Sequence, residues 1–245
     1  MRSIFLVATA ALLWGCLGGT PALAQEISIS FGDGGSLAER TLHLIALVTL
    51  LSLAPGLAIM VTCFPFIVTV LSILRQGIGL QQSPPNMLIV SLSLFLTYFV
   101  MAPVFDQAWA DGIEPLLKEQ LPLDLAMERA LVPFRAFMAG RIDAETFAAM
   151  AALRPDSALV PSGPDAPLSV LLPSFMLSEI ARAFQIGFLI FLPFLIIDLV
   201  VAAILMSMGM MMVPPATVSL PFKLAFFVIA DGWTLLADSL VRGYL

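Results

Sequence analysis

One long apolar run constrains this chain more than any other feature of its sequence. Residues 184–213 carry a single charge, at Asp198, and five methionines lie between Met206 and Met212. About twenty consecutive apolar residues suffice for a helix to cross the hydrocarbon core of a bilayer. Backbone inside lipid must satisfy its own hydrogen bonds, and continuous runs favour helices because barrel strands would alternate. We therefore predict an all-α membrane protein.

Composition agrees with this class over the whole chain. The 245 residues are 60% hydrophobic and 11% charged, with a mean hydropathy of +1.03, whereas ordinary soluble domains contain about 25% charged residues. The apolar runs predict two helical hairpins, and hence four apolar helices, at residues 42–105 and 184–240. The first run is longer than one span needs, and Pro55 and Pro65 predict that its helix is bent or broken.

A more polar segment, residues 106–183, separates the two hairpins. Its apolar residues recur at helical spacing, which predicts an amphipathic helix over about Leu123–Ala139. A second helix is expected to begin at Asp143, a good N-cap, and to end near Arg154. Four prolines with serine and glycine between them then predict a linker. We expect a small, partly helical insert that faces water, and a short tail at residues 241–245.

The N-terminus has the layout of a cleavable signal peptide, because Arg2 precedes an apolar stretch and Ala22-Leu23-Ala24 matches an A-x-A site. We expect cleavage of residues 1–24 and a short periplasmic lead at residues 25–41; an uncleaved membrane helix is the alternative. Cleavage would place the insert in the periplasm and both hairpin tips in the cytoplasm. Arg75, at the first tip, agrees with the positive-inside bias.

Three charged side chains lie inside predicted membrane helices: Asp198, Lys223 and Asp231. Each unpaired charge costs about 2.5–3.5 kcal/mol on insertion scales, so such residues usually face a bundle interior or a water path. At about 1.5 Å per residue, Asp198 and Lys223 come to similar depths and could pair across the second hairpin. Asp231 has no basic partner in that hairpin. Structural ion pairs and a proton relay both remain open.

The sequence contains no recognisable catalytic, metal or nucleotide motif. It has one histidine, and we found no G-x-S-x-G elbow and no phosphate-binding glycine loop. An acidic chain without a basic cluster is also a poor candidate for nucleic-acid binding. We therefore expect no enzyme activity and no cofactor. The methionine cluster is left as either loose packing or a deformable contact surface, since methionine adapts to whatever shape it meets.

Three blocks of the sequence carry a family resemblance. They are SPPN followed by FLTYFVMAPV, then SE with AFQIGFLIFLPFLIIDLVVAAILMSMGMMMVPP, and VSLPFKLAFFVIADGW. Together they resemble the FliP family of flagellar biosynthesis membrane proteins over nearly all of residues 42–240. The resemblance implies a homo-oligomer, typically a pentamer, that assembles with FliQ and FliR into the core of the type III export gate and docks FlhB and FlhA. That core lies at the inner membrane in the flagellar basal body, and unfolded flagellar subunits pass through it.

The resemblance also implies a site at the methionine cluster. The family's methionine gasket falls on Met210, Met211 and Met212, with Met208 adjacent. A ring of copies would bring these side chains together at a constriction. Thioether chains there could seal against water and ions, yet deform around a passing polypeptide.

The chain departs from the family pattern at two places. Family members usually carry an arginine in the segment aligned to residues 62–67, where this chain has Phe66, and the usual SELKTAF reads SEIARAF, which moves the basic residue to Arg182. Glu179, Arg182 and Phe66 are candidates for contacts between subunits, and we do not expect Glu179 to keep the family's ion-pair partner in the same geometry. Two alternatives to a conducting channel subunit remain: a non-conducting scaffold of the export apparatus, and a proton-coupled small-solute transporter.

Overall fold

The computed structural model describes residues 37–80, 84–154, 161, 163–210 and 212–244. Within these ranges the chain forms helices and no strand, which confirms the all-α class. The predicted signal peptide, most of the lead and most of the proline-rich linker lie outside the described residues. The helices are α1 (Leu37–Met60), α2 (Phe64–Ile78), α3 (Asn86–Ala108), a π-helical turn (Trp109–Ile113), α4 (Glu114–Leu117), α5 (Leu123–Arg141), α6 (Ala144–Ala152), α7 (Leu168–Ser207), α8 (Pro215–Ile229) and α9 (Gly232–Arg242).

The predicted break in the first apolar run lies between α1 and α2, at residues 61–63. Pro65 follows directly, in the first turn of α2, where its missing N–H leaves no helical hydrogen bond unmade. Pro55, by contrast, lies inside α1 without ending it. α2 ends at Gly79, whose φ of 89° is left-handed and whose N–H donates to the carbonyls of Arg75 and Gln76.

α2 forms the centre of the core and packs against α3, α7 and α8. Its buried face includes Phe66, Ile67, Val70, Leu71 and Leu74. The approach of α7 to this face is close because Gly187 lacks a side chain. A Cβ on Gly187 would lie 3.2 Å from both Cβ and Cγ2 of Ile73, with the Ile73 Cδ1 closer still.

α7 is a single helix of 40 residues, so the predicted boundary between the insert and the second hairpin at residues 183/184 does not coincide with a helix end. That boundary followed a change of polarity, and the residues around it contain no helix breaker. Pro173 and Pro193 lie inside the helix without ending it. At 1.5 Å per residue the helix is roughly 60 Å long, about twice the bilayer core.

The insert folds onto the first part of α7. α5 extends two residues beyond its predicted end, and α6 begins where predicted, with the Asp143 side chain accepting a hydrogen bond from the Thr146 N–H at 3.0 Å. A second small core lies here and is made of Met138, Ala166, Leu171 and Phe175. The described part of the insert is therefore packed against the rest of the fold.

The last apolar helix of the second predicted hairpin, residues 184–240, is instead two helices, α8 and α9, bent by 61°. The bend occurs at Asp231, whose φ of 48° is left-handed, a conformation that aspartate tolerates better than most residues. The ring of Phe227 fills the space that a Cβ on Gly232 would need, so glycine after the bend allows the close packing.

Three helical stretches of the described residues are long and apolar enough to cross a membrane: Thr41–Met60, Asn86–Leu117 and Leu168–Ser207. A fourth is obtained if the bent pair α8 and α9 is counted as one span. α2 is apolar but has only 15 residues. With the bent pair counted as one span, the number matches the predicted four apolar helices, and α2 is the second piece of the first, broken helix.

Candidate functional site

The methionine-rich tip of the second hairpin is a tight turn, here called the methionine turn (residues 208–213). α7 ends as the N–H of Met208 donates to the Ile204 carbonyl at 3.1 Å. Gly209 follows with a left-handed φ of 74°, and the Met210 N–H donates to the Leu205 carbonyl at 3.0 Å. Pro215 then begins α8 at a position that suits its fixed φ. The backbone of the turn is thus defined by hydrogen bonds and proline.

The methionine side chains of this turn lie on the surface. Met208 is 63% exposed, Met210 is 40% exposed and Met212 is 97% exposed. Met211, the remaining predicted gasket residue, lies outside the described residues. None of these three side chains belongs to the core of this chain. They form a deformable apolar surface.

An apolar groove of about 500 Å³ runs from the methionine turn along α7 and α8. Its walls include Val200 and Ile204 from α7, Phe222 from α8, and Met208 at its end. The surface of the turn therefore continues into a hydrophobic surface on the hairpin.

Asp198 and Lys223 form an ion pair across the second hairpin, as their predicted depths allowed. The Lys223 Nζ donates to Asp198 Oδ2 at 2.6 Å, and the Ser219 hydroxyl donates to Asp198 Oδ1 at 2.5 Å. The Lys223 side chain is 6% exposed, whereas that of Asp198 is 37% exposed. The ammonium also lies beside Gly79 at the end of α2. The pair thus joins α7 to α8 close to the tip of the first hairpin.

Asp231 has a different environment from this pair. It is exposed at the bend between α8 and α9, and its carboxylate accepts a hydrogen bond from the Thr234 hydroxyl at 3.1 Å. Its carboxylate therefore forms a hydrogen bond within the first turn of α9. Among the described residues, no group of three or more His, Cys, Asp or Glu side chains is arranged to hold a metal ion.

Glu179 lies on α7 and is fully buried, with basic and hydroxyl partners from three parts of the chain. The Arg141 Nε, from the end of α5, donates to Glu179 Oε1 at 3.1 Å, and Arg182 lies 3.6 Å from the same oxygen. The Tyr244 hydroxyl donates to Oε2. Burial and the adjacent Glu179 carboxylate both raise the pKa of Tyr244, so this hydroxyl stays protonated and remains a donor.

In the single chain, the three candidates for contacts between subunits, Glu179, Arg182 and Phe66, differ in their exposure. Glu179 is satisfied within the chain, and Phe66 is 2% exposed, with its ring 5.4 Å from that of Tyr244. Arg182, only partly buried, is the one member of the three with a side chain that reaches the surface. The Glu179 partners Arg141 and Tyr244 were not found from the sequence, since they lie 38 and 65 residues away from it.

Comparison with known proteins identifies the family. The FliP family model matches residues 47–240. The flagellar biosynthetic protein FliP of Caulobacter vibrioides is 51% identical over 91% of this chain and 84% of its own length. That of Agrobacterium fabrum is 48% identical over 98% of both chains, and that of Bacillus subtilis is 44% identical over 84% of this chain and 93% of its own. The chain belongs to the FliP family.

Proposed function

We propose that this chain is a channel subunit of the flagellar type III protein export gate, required for flagellum assembly. In this proposal several copies, five by family resemblance, form a ring at the inner membrane within the basal body. FliQ and FliR complete the core, which docks FlhB and FlhA. Unfolded flagellar subunits are conducted through its centre. Family membership and the names of the relatives, flagellar biosynthetic protein, support the placement in flagellum assembly.

The exposed methionine turn is the observation that carries the conducting role. Three of its four methionine side chains are described, and all three are open to contact from outside the chain. Exposed apolar side chains at the tip of a hairpin suit contact with another chain. In a ring, these side chains would meet their counterparts in neighbouring copies. A flexible thioether lining closes by excluding water and opens without breaking specific bonds.

The Asp198–Lys223 pair supports the turn in this mechanism. It joins the two helices that enter and leave the turn, about two to three helical turns from it. A buried ion pair fixes one arrangement of two helices better than apolar contacts, which tolerate sliding. The side chains at the tip can then deform while the helices that present them stay in register.

Replacement of Met210, Met211 and Met212 by alanine tests the seal. We expect inner-membrane leakage of ions or small solutes to rise when the variant gate is assembled, with flagellar export partly retained. Leakage is measured with a membrane-potential dye, and export as secreted flagellar subunits. Met127→Ala provides the matched control, because Met127 is also exposed but lies on α5 in the insert.

Two results would contradict the seal. Unchanged permeability in a fully assembled variant gate would contradict it directly. Loss of export without leakage would favour the non-conducting scaffold. Native mass measurement of the purified complex tests the ring itself. A complex that contains a single copy of this chain would contradict the ring.

A further inference from the structure

The last described residues contact several helices that lie far from them in the sequence. Gly243 and Tyr244 follow α9, yet they reach α2, α5 and α7. We call this pair of residues the C-terminal clasp.

Arg141 joins the clasp to the insert in two ways. One guanidinium nitrogen donates to the Gly243 carbonyl at 2.8 Å, and the guanidinium carbon lies 4.0 Å from the centre of the Tyr244 ring. A cation at this distance is attracted to the face of an aromatic ring. The ring of Phe137, one helical turn earlier on α5, stacks on Tyr244 with centroids 6.0 Å apart and planes at 17°. The end of α5 therefore contacts the clasp through two side chains one helical turn apart.

Tyr244 also contacts the apolar helices α2 and α7. Its hydroxyl donates to the buried Glu179 carboxylate on α7, and its ring meets the edge of Phe66 on α2. Arg141 and Tyr244 each satisfy one oxygen of Glu179. Because a buried carboxylate without donors is strongly unfavourable, the two contacts depend on each other: loosening the clasp leaves Glu179 short of a donor.

We propose that the C-terminal clasp is a positioning device that fixes the orientation of the insert on the apolar helices. Tyr244 acts through Glu179 and Arg141, and its removal would free the end of α5 while the contact between α2 and α7 persists. The clasp does not depend on the conducting role proposed above, and it would hold in a scaffold as well. Its partner is the insert of the same chain.

Hydrogen exchange of the full mature chain in detergent tests this arrangement. Tyr244→Phe keeps the ring and removes only the hydroxyl, and we expect amides of the last turns of α5 to exchange about tenfold faster. Deletion of residues 243–245 should increase that factor further. Amides of α8, which supplies none of the clasp contacts described above, should exchange as in the unmodified chain. Tyr98→Phe is the control, because Tyr98 is the other tyrosine and is exposed.

The outcomes separate positioning from general stability. Faster exchange confined to the insert would support the clasp. Equal acceleration in α8 would show that Tyr244 is an ordinary stabilising residue and would overturn it. Unchanged exchange in α5 would overturn it as well. The conservative Tyr244→Phe change decides the matter even where the deletion prevents folding.

Discussion

We predict that removing the charge of Asp198 destabilises the protein more than removing the charge of Lys223. Asp198→Asn keeps the size of the side chain and an oxygen for the Ser219 hydroxyl, but leaves the buried Lys223 ammonium without its counter-charge. Breaking a fully buried pair costs about 3–5 kcal/mol. Because the Asp198 side chain is 37% exposed, part of that penalty is screened. We therefore expect a loss of about 2–3 kcal/mol in the free energy of unfolding.

The reverse change should cost less. Lys223→Met removes the buried charge and leaves Asp198 with the Ser219 hydroxyl and access to water, so we expect a loss of about 1 kcal/mol. The double variant should then resemble Lys223→Met alone. The coupling between the two changes, about 2–3 kcal/mol, measures the cost of the unpaired ammonium.

Reversible unfolding in mixed detergent micelles, followed by tryptophan fluorescence, provides the free energies. Arg242→Gln is the matched control because it breaks an exposed ion pair with Asp238, which is worth at most about 1 kcal/mol. Additive effects of the Asp198 and Lys223 changes would refute the reasoning. So would an Asp198→Asn cost no larger than that of the control. A proton relay predicts a different result, namely an intact assembly that has lost its coupling to the proton gradient.

Two further predictions concern local structure. The Thr146 N–H donates to the Asp143 carboxylate and lowers its pKa. The cap therefore stabilises α6 fully at pH values above the ordinary carboxyl pKa, and this stabilisation is lost as the pH falls through the lowered pKa. Exchange of α6 amides should show this acid-side loss, and Asp143→Ala should abolish it; an unchanged profile would contradict the cap. Gly187→Ala should cost about 1–3 kcal/mol because the new methyl group clashes with Ile73, and adding Ile73→Val should recover part of that loss. Gly56→Ala, with open space around it, should be neutral or stabilising by up to about 1 kcal/mol. Thermal unfolding of the three variants checks this, and equal midpoints for Gly187→Ala and Gly56→Ala would refute it.

Local sequence signals predicted much of this fold. The apolar runs predicted the helices and the all-α class, and Asp143 predicted the start of α6 within one residue. The opposite charges at Asp198 and Lys223 allowed the ion pair because both lie a similar number of residues from one turn. Each of these inferences uses neighbours along a helix or across one hairpin. Their physical basis is therefore short in range.

Features that depend on distant packing were not predictable in the same way. α7 continues through residue 183 because a change of polarity does not end a helix, and the bend at Asp231 depends on how Phe227 packs against Gly232. Glu179 was a candidate for contacts between subunits, and Tyr244 provides a donor for it from the far end of the chain. No periodicity connects residues separated by so many positions.

The distance along the chain between Glu179 and Tyr244 has a consequence for biosynthesis. The two residues are 65 positions apart, and chains grow at about 5–20 residues per second. Tyr244 is therefore made roughly 3–13 seconds after Glu179. During this interval Arg141 and Arg182 can already pair with the carboxylate, while Oε2 lacks the Tyr244 donor. A copy that ends before residue 244 would lack that donor permanently. Synthesis of Tyr244 is therefore required before Glu179 has all of its donors, which makes copies truncated before this residue distinguishable from longer ones before they assemble.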